Sequence, residues 1–371
     1  MVAMNARLQT IPVRPRNRLA RLLRPMVAPQ VFDFWAGQLN RAWSWERPLG
    51  RIVQIRRESA DATTLVLQPN RHWLGFRPGQ HINIGAEIDG TRITRSYSLT
   101  GVPRGDGRIS LTVKSIEGGR LSRHLASSAR LGDVLELGQA YGEMTLPAQP
   151  AGQWLFLAAG SGITPLVAMV RELADAGMPV ALDLVYWART RAEFCFAQEL
   201  RNLAAAHAGF TVHFVVTREA PLHMDESSGR IEAGRLSSLV ADLDQRQVYA
   251  CGPGAFVEDA RVLLAYRTAA FMAEAFTPPP RVVEDTGEVQ VTLARSGRTL
   301  TLPRGESLLV ALEAQGLRPV SGCRMGICNT CSCAKQSGVT RHTHTGALAG
   351  EPVSALKLCI SSAATDLVLD L

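Results

Sequence analysis

The sequence has no uninterrupted apolar segment of the kind that crosses a membrane. Its longest uncharged stretch, residues 144–170, exceeds the ~20 residues that a helix needs to span a bilayer. Pro147, Pro150 and the turn Gly160-Ser161-Gly162 interrupt that stretch, which is predicted to form a loop, a strand, a turn and a helix. The Arg-rich N-terminus also lacks an apolar core followed by a small-residue cleavage site, so no secretory signal is expected.

The sequence also lacks the evenly distributed cysteines of a small disulfide-stabilised domain. Four of its seven cysteines lie within eleven residues, from Cys323 to Cys333. Such clustering favours ligation of a metal or cluster in a reducing compartment, which predicts a cytoplasmic protein. We expect Cys195 to pack in a core and Cys333 to be surplus to the ligand set.

Positive charge is concentrated at one end of the chain. Residues 1–48 contain eight Arg against Asp33 and Glu46, so they carry +6 of the formal net charge of +7. The net charge of residues 49–371 is therefore close to zero, and the excess of basic residues lies in the N-terminal extension.

The length of 371 residues predicts two to three domains, and changes in the sequence pattern after residue 48 indicate their boundaries. Short alternating segments separated by turns predict an antiparallel β-barrel. The alternation of apolar strands and helical stretches that follows predicts an α/β domain with a parallel sheet. The expected boundaries are 1–48 for the extension, 49–150 for the barrel, 151–276 for the α/β domain, 277–287 for a Pro-rich linker and 288–371 for a C-terminal α+β domain.

The strongest chemical signal is the spacing of four cysteines. Cys323, Cys328 and Cys331 form a C-x4-C-x2-C motif, and Cys359 follows after 27 intervening residues. This is the spacing of a plant-type 2Fe-2S cluster, in which one tight loop supplies three thiolates and a distant segment supplies the fourth. A zinc site is the alternative, with His342 and His344 nearby, but the four-residue gap is unusual for zinc.

Two motifs in the barrel region suit a flavin. Arg95, Tyr97 and Ser98 offer a cation for a phosphate, a flat ring for the isoalloxazine and a hydroxyl for its N5 atom. Downstream, Gly119 and Ser122 lie in a Gly-rich turn that opens a short helix, which predicts a seat for a pyrophosphate.

Two further motifs end strands of the predicted parallel sheet, where ligands bind in open sheets of this kind. A Gly-rich turn that leads into a helix lets a phosphate or nicotinamide approach bare backbone. The first motif comprises Gly160, Gly162, Thr164 and Pro165, and the second comprises Cys251, Gly252 and Pro253.

Together these motifs resemble the ferredoxin–NADP reductase family over residues 49–276, and the C-terminal segment resembles plant-type ferredoxins. The order flavin, nicotinamide, ferredoxin is similar to the reductase components of bacterial oxygenases and fatty-acyl desaturases. The resemblance implies a flavin-binding barrel, an NAD(P)-binding α/β domain and a β-grasp ferredoxin-like domain. It also implies FAD, a 2Fe-2S cluster and hydride transfer from a nicotinamide lying near Cys251 and Ser98.

Two departures from the family pattern affect these expectations. Asn329 occupies a position inside the cluster loop where the family often has Gly. The chain also continues past Phe276 instead of ending with the aromatic residue that covers the flavin in plant-type reductases. FMN therefore stays an alternative to FAD, and Phe276 is expected near the flavin only if the linker folds back.

The choice of nicotinamide rests on arginines. Arg189 and Arg191 follow a strand of the parallel sheet, and Arg230 follows later. An Arg near the ribose favours the 2′-phosphate of NADPH, whereas an Arg on a sheet edge would leave NADH equally suitable. We expect NADPH.

The basic extension has several interpretations. Apolar residues interleaved with Arg between residues 16 and 35 suit an amphipathic helix at a membrane surface, although Pro25 and Pro29 would kink or split it. The alternatives are a brace across the barrel, which the interrupting prolines favour, then a nucleic-acid contact and last an organelle presequence. Peripheral contact with the inner face of the membrane and no nucleic-acid partner are expected.

The sequence offers no substrate-oxidising site, so a partner is expected to receive the electrons. The first hypothesis is a membrane di-iron fatty-acyl desaturase or hydroxylase. The second is a soluble Rieske or di-iron oxygenase, and a third is a redox sensor that uses the basic extension to bind a regulator. The C-terminal domain has eight basic and six acidic residues, so it lacks the acidic surface of freely diffusing plant ferredoxins.

Overall fold

The computed structural model describes residues 29–240, 242–277 and 285–371. The first described element is helix α1, Pro29–Leu39. It begins at Pro29 and is not broken by it, because a proline in the first helical turn lacks an N–H that would have no partner there anyway. The part of the expected helix before Pro29 lies outside the described residues.

Residues 49–137 form the predicted antiparallel β-barrel. Its sheet has the order β4-β3-β6-β1-β2-β5, and a bridge between Leu99, directly after β4, and Leu111 within β5 joins the two edge strands. A short helix, α2, Arg120–Arg123, follows the Gly-rich turn after β5. The strands are β1 Leu49–Arg57, β2 Ala62–Pro69, β3 His81–Ile88, β4 Thr91–Ser98, β5 Ile109–Lys114 and β6 Val134–Leu137.

The second sheet is parallel, as predicted, with the order β10-β9-β8-β7-β11-β12. Its central strands are buried on both faces, which explains their nearly continuous apolar sequences. The strands are β7 Gln153–Ala159, β8 Ala181–Ala188, β9 Phe210–Val216, β10 Glu226–Ser228, β11 Gln247–Gly252 and β12 Ala270–Ala275. The helices are α3 Ile163–Asp175, α4 Ala197–Ala206, α5 Ala233–Leu239 and α6 Gly254–Leu264.

The C-terminal segment folds into a mixed five-stranded sheet of order β14-β13-β20-β15-β18, a three-stranded sheet of order β17-β16-β19, and helix α7, Leu308–Ala314. Ser307 caps α7 by accepting a hydrogen bond from the Val310 N–H. The strands are β13 Glu288–Leu293, β14 Thr299–Pro303, β15 Ser332–Ser337, β16 Thr340–His342, β17 Leu348–Ala349, β18 Val353–Lys357, β19 Ser361–Ala363 and β20 Leu367–Leu369.

Polar contacts join the barrel to the parallel-sheet domain. Lys114 at the end of β5 contacts Glu193 at 2.9 Å and Asp61 at 2.9 Å. Arg171 of α3 pairs with Glu199 and also donates to the Thr100 carbonyl. A further contact, between His81 of β3 and Glu274 of β12, brings the end of β4 next to the carboxyl end of β12, because His81 pairs with Ser98.

Candidate functional site

The flavin motif lies on β4, an edge strand of the barrel sheet. Residues alternate between faces along a strand, so Arg95 and Tyr97 share one face and Ser96 and Ser98 share the other. Arg95 is exposed, Tyr97 packs against the barrel core and Ser98 is buried. An exposed cation and an aromatic ring therefore share one face near the end of β4, and the Ser98 hydroxyl lies on the opposite face.

Ser98 is hydrogen-bonded to a histidine that lies outside the predicted motifs. Its Oγ lies 3.0 Å from the Nδ1 atom of His81, the first residue of β3. The Nε2 atom of His81 lies 2.5 Å from the Glu274 carboxylate on β12. The local sequence gives some indication of His81, which directly follows the turn Pro78-Gly79-Gln80. Nothing in the sequence around Glu274 indicates that it contacts the barrel.

The Gly-rich turn after β5 packs beside β3. Ser122 is buried, accepts a hydrogen bond from the Ile116 N–H and donates to the Gly119 carbonyl. A Cβ atom on Gly119 would lie 2.4 Å from the Ser122 Oγ. Arg120 donates to the Ile88 carbonyl at the end of β3. Hydrogen bonds within the turn therefore stabilise its conformation beside β3 and β4, the strand pair that carries the flavin motif.

The two nicotinamide motifs touch each other, as their positions in the sheet predicted. A Cβ atom on Gly162 would lie 1.9 Å from the Cys251 carbonyl oxygen, so the approach of the two backbones requires glycine. Gly160 adopts a φ of 55° in the turn, and its carbonyl accepts from the Tyr186 hydroxyl. Thr164 and Pro165 are buried at the start of α3 and serve to pack the turn.

Cys251 and Phe276 lie on the barrel side of this junction. Cys251 is fully buried, and burial raises the pKa of its thiol well above the usual range, so it is a neutral thiol. Gly252 and Pro253 continue the chain into α6. Phe276 lies 6.1 Å from the His81 ring, measured between centroids. Strand β12 leads Phe276 there directly, so the linker does not need to fold back.

The arginines expected near the ribose are already paired. The Arg191 guanidinium contacts Glu226, Glu219 and the Ala220 carbonyl. Arg191 in turn holds the pKa of the buried Glu226 carboxyl at about 2. Arg189 pairs with Glu193 at 2.9 Å, and half of its side chain is exposed. Arg189 is therefore the more available of the two for a phosphate.

The four motif cysteines are arranged as two pairs. In the first pair, the N–H of Cys323 donates to the Cys328 Sγ, and the N–H of Cys328 donates to the Cys323 Sγ. A hydrogen bond from the Cys323 thiol lowers the pKa of Cys328, and one from the Cys359 thiol lowers that of Cys331. Two separated thiol pairs suit the two irons of a 2Fe-2S cluster.

The same geometry disfavours the zinc alternative. Among the described residues, no three His, Cys, Asp or Glu side chains converge on a point that would hold a single metal ion. His342 instead accepts hydrogen bonds at Nδ1 from the backbone of its own turn. Cys333 and Cys195 pack in hydrophobic cores, as expected. Asn329 has a φ of 55°, and asparagine tolerates this left-handed conformation better than most non-glycine residues.

The cluster loop contacts the flavin strand pair. Asn83 of β3 donates to the Thr330 hydroxyl at 3.2 Å and accepts from the Tyr141 hydroxyl at 3.1 Å. Tyr141 is also hydrogen-bonded to Ser96 of β4. On the other face of β4, partial desolvation and the nearby Arg324 guanidinium of the cluster loop lower the pKa of Arg95. Nothing in the local sequence indicated Asn83 or Tyr141.

Comparison with known proteins agrees with this division of the chain. Models of an oxidoreductase FAD-binding domain, an oxidoreductase NAD-binding domain and a 2Fe-2S iron-sulfur cluster binding domain match residues 50–146, 156–262 and 291–362. An NADPH oxidoreductase of Mycobacterium tuberculosis is 33% identical over 96% of this chain and 92% of its own. The ferredoxin reductase component of a 3-ketosteroid-9-alpha-monooxygenase from the same species is 31% identical over 79% of this chain and 88% of its own.

The fold is similar to that of a solved structure. Phthalate dioxygenase reductase, described as a modular structure for electron transfer from pyridine nucleotides to a 2Fe-2S centre, superposes with a TM-score of 0.60, covering 87% of this chain and 97% of its own at 24% identity. This likeness supports the fold. The family models and the relative that is 33% identical show that the chain belongs to the ferredoxin–NADP reductase family of oxidoreductases that carry FAD and a C-terminal plant-type 2Fe-2S domain.

Proposed function

We propose that this chain is the reductase component of an oxygen-activating enzyme, most specifically a membrane-bound di-iron fatty-acyl desaturase or hydroxylase. In this proposal a hydride passes from NADPH to FAD, and single electrons pass through the cluster to the partner. The observation that carries the proposal is the hydrogen-bonded contact between the flavin strand pair and the cluster loop.

That contact is continuous from one motif to the other. Ser96 lies between Arg95 and Tyr97, and it is linked through Tyr141 and Asn83 to Thr330. Thr330 in turn supports a cluster ligand, because hydrogen bonding from Thr330 contributes to the lowered pKa of Cys328. The two electron-carrying sites are therefore adjacent within one chain, which gives a high effective concentration of donor and acceptor.

Each motif then has a role toward its cofactor. A flavin accepts an electron pair as hydride and gives up electrons singly, which a nicotinamide does not. Arg95 would bind its phosphate, Tyr97 its ring and Ser98 its N5 edge. Gly119 and Ser122 would shape the turn beside the pyrophosphate. The backbone of Gly160, Gly162, Gly252 and Pro253 would seat the nicotinamide next to Cys251, with Thr164 and Pro165 supporting the turn.

The iron ligands in this proposal are Cys323, Cys328, Cys331 and Cys359. Each thiol pair would bind one iron, and the backbone N–H groups that point at Cys323 and Cys328 would stabilise the negative charge of the cluster. These ligands lie at the end of the path opposite the nicotinamide motifs, which makes the cluster the exit for electrons.

Replacing Asn83 with Ala tests the path. The variant removes the hydrogen bond from Asn83 to Thr330 of the cluster loop, and also the one that Asn83 accepts from Tyr141 within the barrel. We expect a loss of about 1–3 kcal/mol, which lowers the docked fraction roughly tenfold. We expect NADPH-driven reduction of cytochrome c through the cluster to slow by that factor. Ferricyanide reduction directly from the flavin should be unchanged.

The matched control is Asn202→Ala, which removes an exposed side chain of helix α4 far from the contact. Both acceptors should be reduced by this control at the wild-type rate. Equal cytochrome c rates for Asn83→Ala and wild type would contradict the proposed path.

The relatives and the charge of the C-terminal domain support an oxygenase partner. A glycine betaine monooxygenase reductase subunit of Pseudomonas aeruginosa is 28% identical over 89% of this chain. Transfer to a covalently tethered cluster needs no electrostatic steering, and eight basic against six acidic residues in 288–371 fit this. The partner would then recognise the cluster domain without a large acidic patch.

The membrane assignment rests on the outer face of α1. Its inner face is fixed to the rest of the chain: Ala36 is buried, Phe32 packs on Trp45 and Asp33 accepts from the Trp45 N–H. These contacts support the brace interpretation for this inner face. The structure still leaves large apolar side chains on the other side, with Phe34 60% and Trp35 65% exposed.

Charge next to α1 specifies an anionic lipid surface. Residues 1–28 contain six Arg and no acidic residue, and exposed aromatic side chains beside basic residues suit the headgroup region of a bilayer. Val31, Leu39 and Trp43 extend the exposed apolar surface. Among the described residues no helix is long and apolar enough to cross a bilayer, so the proposed contact is peripheral, on the cytoplasmic face.

Vesicle binding tests this surface. The full-length protein should sediment with vesicles that contain anionic phospholipid, and the double variant Phe34→Ser, Trp35→Ser should bind roughly a hundredfold more weakly. This estimate takes ~1.5–3 kcal/mol for each buried apolar side chain, with partial insertion. The matched control, Leu222→Ser with Met224→Ser, removes exposed apolar side chains elsewhere and should bind like wild type.

Wild-type protein that stays in the supernatant would remove the membrane argument. A partner such as a soluble Rieske or di-iron oxygenase would then be the better assignment, with α1 acting as a brace only.

Replacing Arg189 with Ala tests the choice of NADPH. If Arg189 binds the 2′-phosphate, its loss removes a charge-assisted hydrogen bond of ~1.5–3 kcal/mol and raises the KM for NADPH roughly tenfold or more. The KM for NADH should stay unchanged. Arg261→Ala, a similarly exposed Arg of α6, is the control, and a wild-type KM for NADPH in Arg189→Ala would assign the 2′-phosphate to another residue.

A further inference from the structure

Lysine is rare in this chain, which contains three lysines among its 40 Lys and Arg residues. The ammonium of lysine is a compact charge with three donors, whereas the guanidinium of arginine is a wide planar fork. A lysine in such a chain therefore suits a site where a compact donor must reach a single acceptor. One of the three, Lys357, ends β18 two residues before Cys359, and the proposed electron path gives it no role.

Lys357 contacts the loop that carries Cys323 and Cys328. Its Nζ atom donates a hydrogen bond to the Gly326 carbonyl at 2.6 Å. Gly326 has a φ of 76°, and a Cβ atom there would lie 2.4 Å from the side chain of Ile360. Glycine is therefore required at this position, both for its backbone conformation and for its contact with Ile360. The two residues that hold Gly326 in place, Lys357 and Ile360, flank Cys359 in the sequence.

Gly326 also lies close to the sulfur of Cys359, because its N–H faces the Cys359 Sγ. The same residue thus directs its N–H at a sulfur and its carbonyl at the Lys357 ammonium. Backbone N–H groups that point at the sulfurs of a cluster stabilise its negative charge. The direction of this N–H depends on the position of Gly326, which the contact with Lys357 fixes.

No acidic residue offsets the charge of Lys357. Its ammonium donates to a carbonyl, and no carboxylate of the described residues lies within ion-pair distance of it. The basic residue of the cluster loop, Arg324, is paired with Glu313. His342 is neutral at neutral pH, because burial and the nearby Lys357 charge lower the pKa of its imidazole. Lys357 therefore brings an unneutralised positive charge to the loop.

We propose that Lys357 is a positioning residue that raises the reduction potential of the cluster. It holds Gly326 so that the N–H of this residue faces the Cys359 sulfur, and it adds a positive charge next to the loop. The inference rests on the proposed function, which makes Cys359 an iron ligand. Reduction adds one electron, and therefore one negative charge, to the cluster. Both contacts stabilise this added charge, so they favour electron transfer from the flavin to the cluster.

A redox titration of the FAD- and cluster-loaded full chain, followed by EPR, tests this role. Lys357→Met nearly keeps the length of the side chain but removes its charge and its donors. The ratio of reduced to oxidised cluster at a fixed potential should fall roughly tenfold, the factor expected for the loss of one hydrogen bond from a charged group. This factor corresponds to ~59 mV for a one-electron couple. The g-values of the cluster should shift, and the flavin potential measured in the same titration should be unchanged.

Two further variants separate this contact from a general effect of charge. Lys357→Arg keeps a positive charge and donors at the same position, so it should recover more than half of the lost potential. Arg298→Met is the matched control, because it causes the same change in net charge by removing an exposed arginine between β13 and β14. It should titrate like wild type, since solvent and salt screen an exposed charge.

Each outcome decides the inference. Lys357→Met with full iron content and the wild-type potential would overturn it while the proposed function stands, and so would a potential in Lys357→Arg as low as that in Lys357→Met. If Lys357→Met does not retain iron, the wild-type potential in Lys357→Arg would support the positioning role, whereas loss of iron from both variants would overturn the effect on potential. Wild-type protein without a 2Fe-2S EPR signal after reduction would overturn the proposed function and the inference with it.

Discussion

The arrangement of this protein depends on one barrel strand, β3, which touches both other domains. Its even residues Ile82 and Ile84 are buried in the barrel core. Its odd residues face away from the barrel core, and two of the polar ones, His81 and Asn83, contact other domains. His81 contacts Glu274 of the nucleotide domain, and Asn83 contacts Thr330 of the cluster loop. Because side chains alternate between the two faces of a strand, the contact with the nucleotide domain and the contact with the cluster loop lie two residues apart on the same face of β3.

The register between β3 and β4 positions the flavin motif relative to the other two domains. Strand β4 carries Arg95, Tyr97 and Ser98, and it pairs with β3 in a register that sets Ser98 against His81 and Ser96 against Asn83. A shift of one residue would turn His81 and Asn83 into the core. The flavin site, the nicotinamide junction and the cluster contact therefore depend on the same register, although they belong to three separate parts of the sequence.

Local patterns in the sequence predicted the features that local chemistry determines. The cysteine spacing indicated the cluster, strand–helix alternation indicated the parallel sheet, and the Gly-rich turns indicated where backbones approach closely. Contacts between domains left no local pattern: Glu274 is 193 residues from His81, and Thr330 is 247 residues from Asn83. The sequence likewise did not predict the pairing of Arg191 with Glu226. An arginine that follows a strand has the same local sequence whether it pairs with a carboxylate or binds a phosphate.

The central claim is that hydride enters and single electrons leave within one molecule. Anaerobic mixing of the loaded protein with one equivalent of NADPH, followed by flavin absorbance and by the EPR signal of the reduced cluster, tests it most directly. Flavin bleaching should come first, and the cluster signal should then rise at a rate that does not depend on protein concentration. A cluster signal whose rate increases in proportion to protein concentration, or no cluster signal after the flavin is reduced, would contradict the claim.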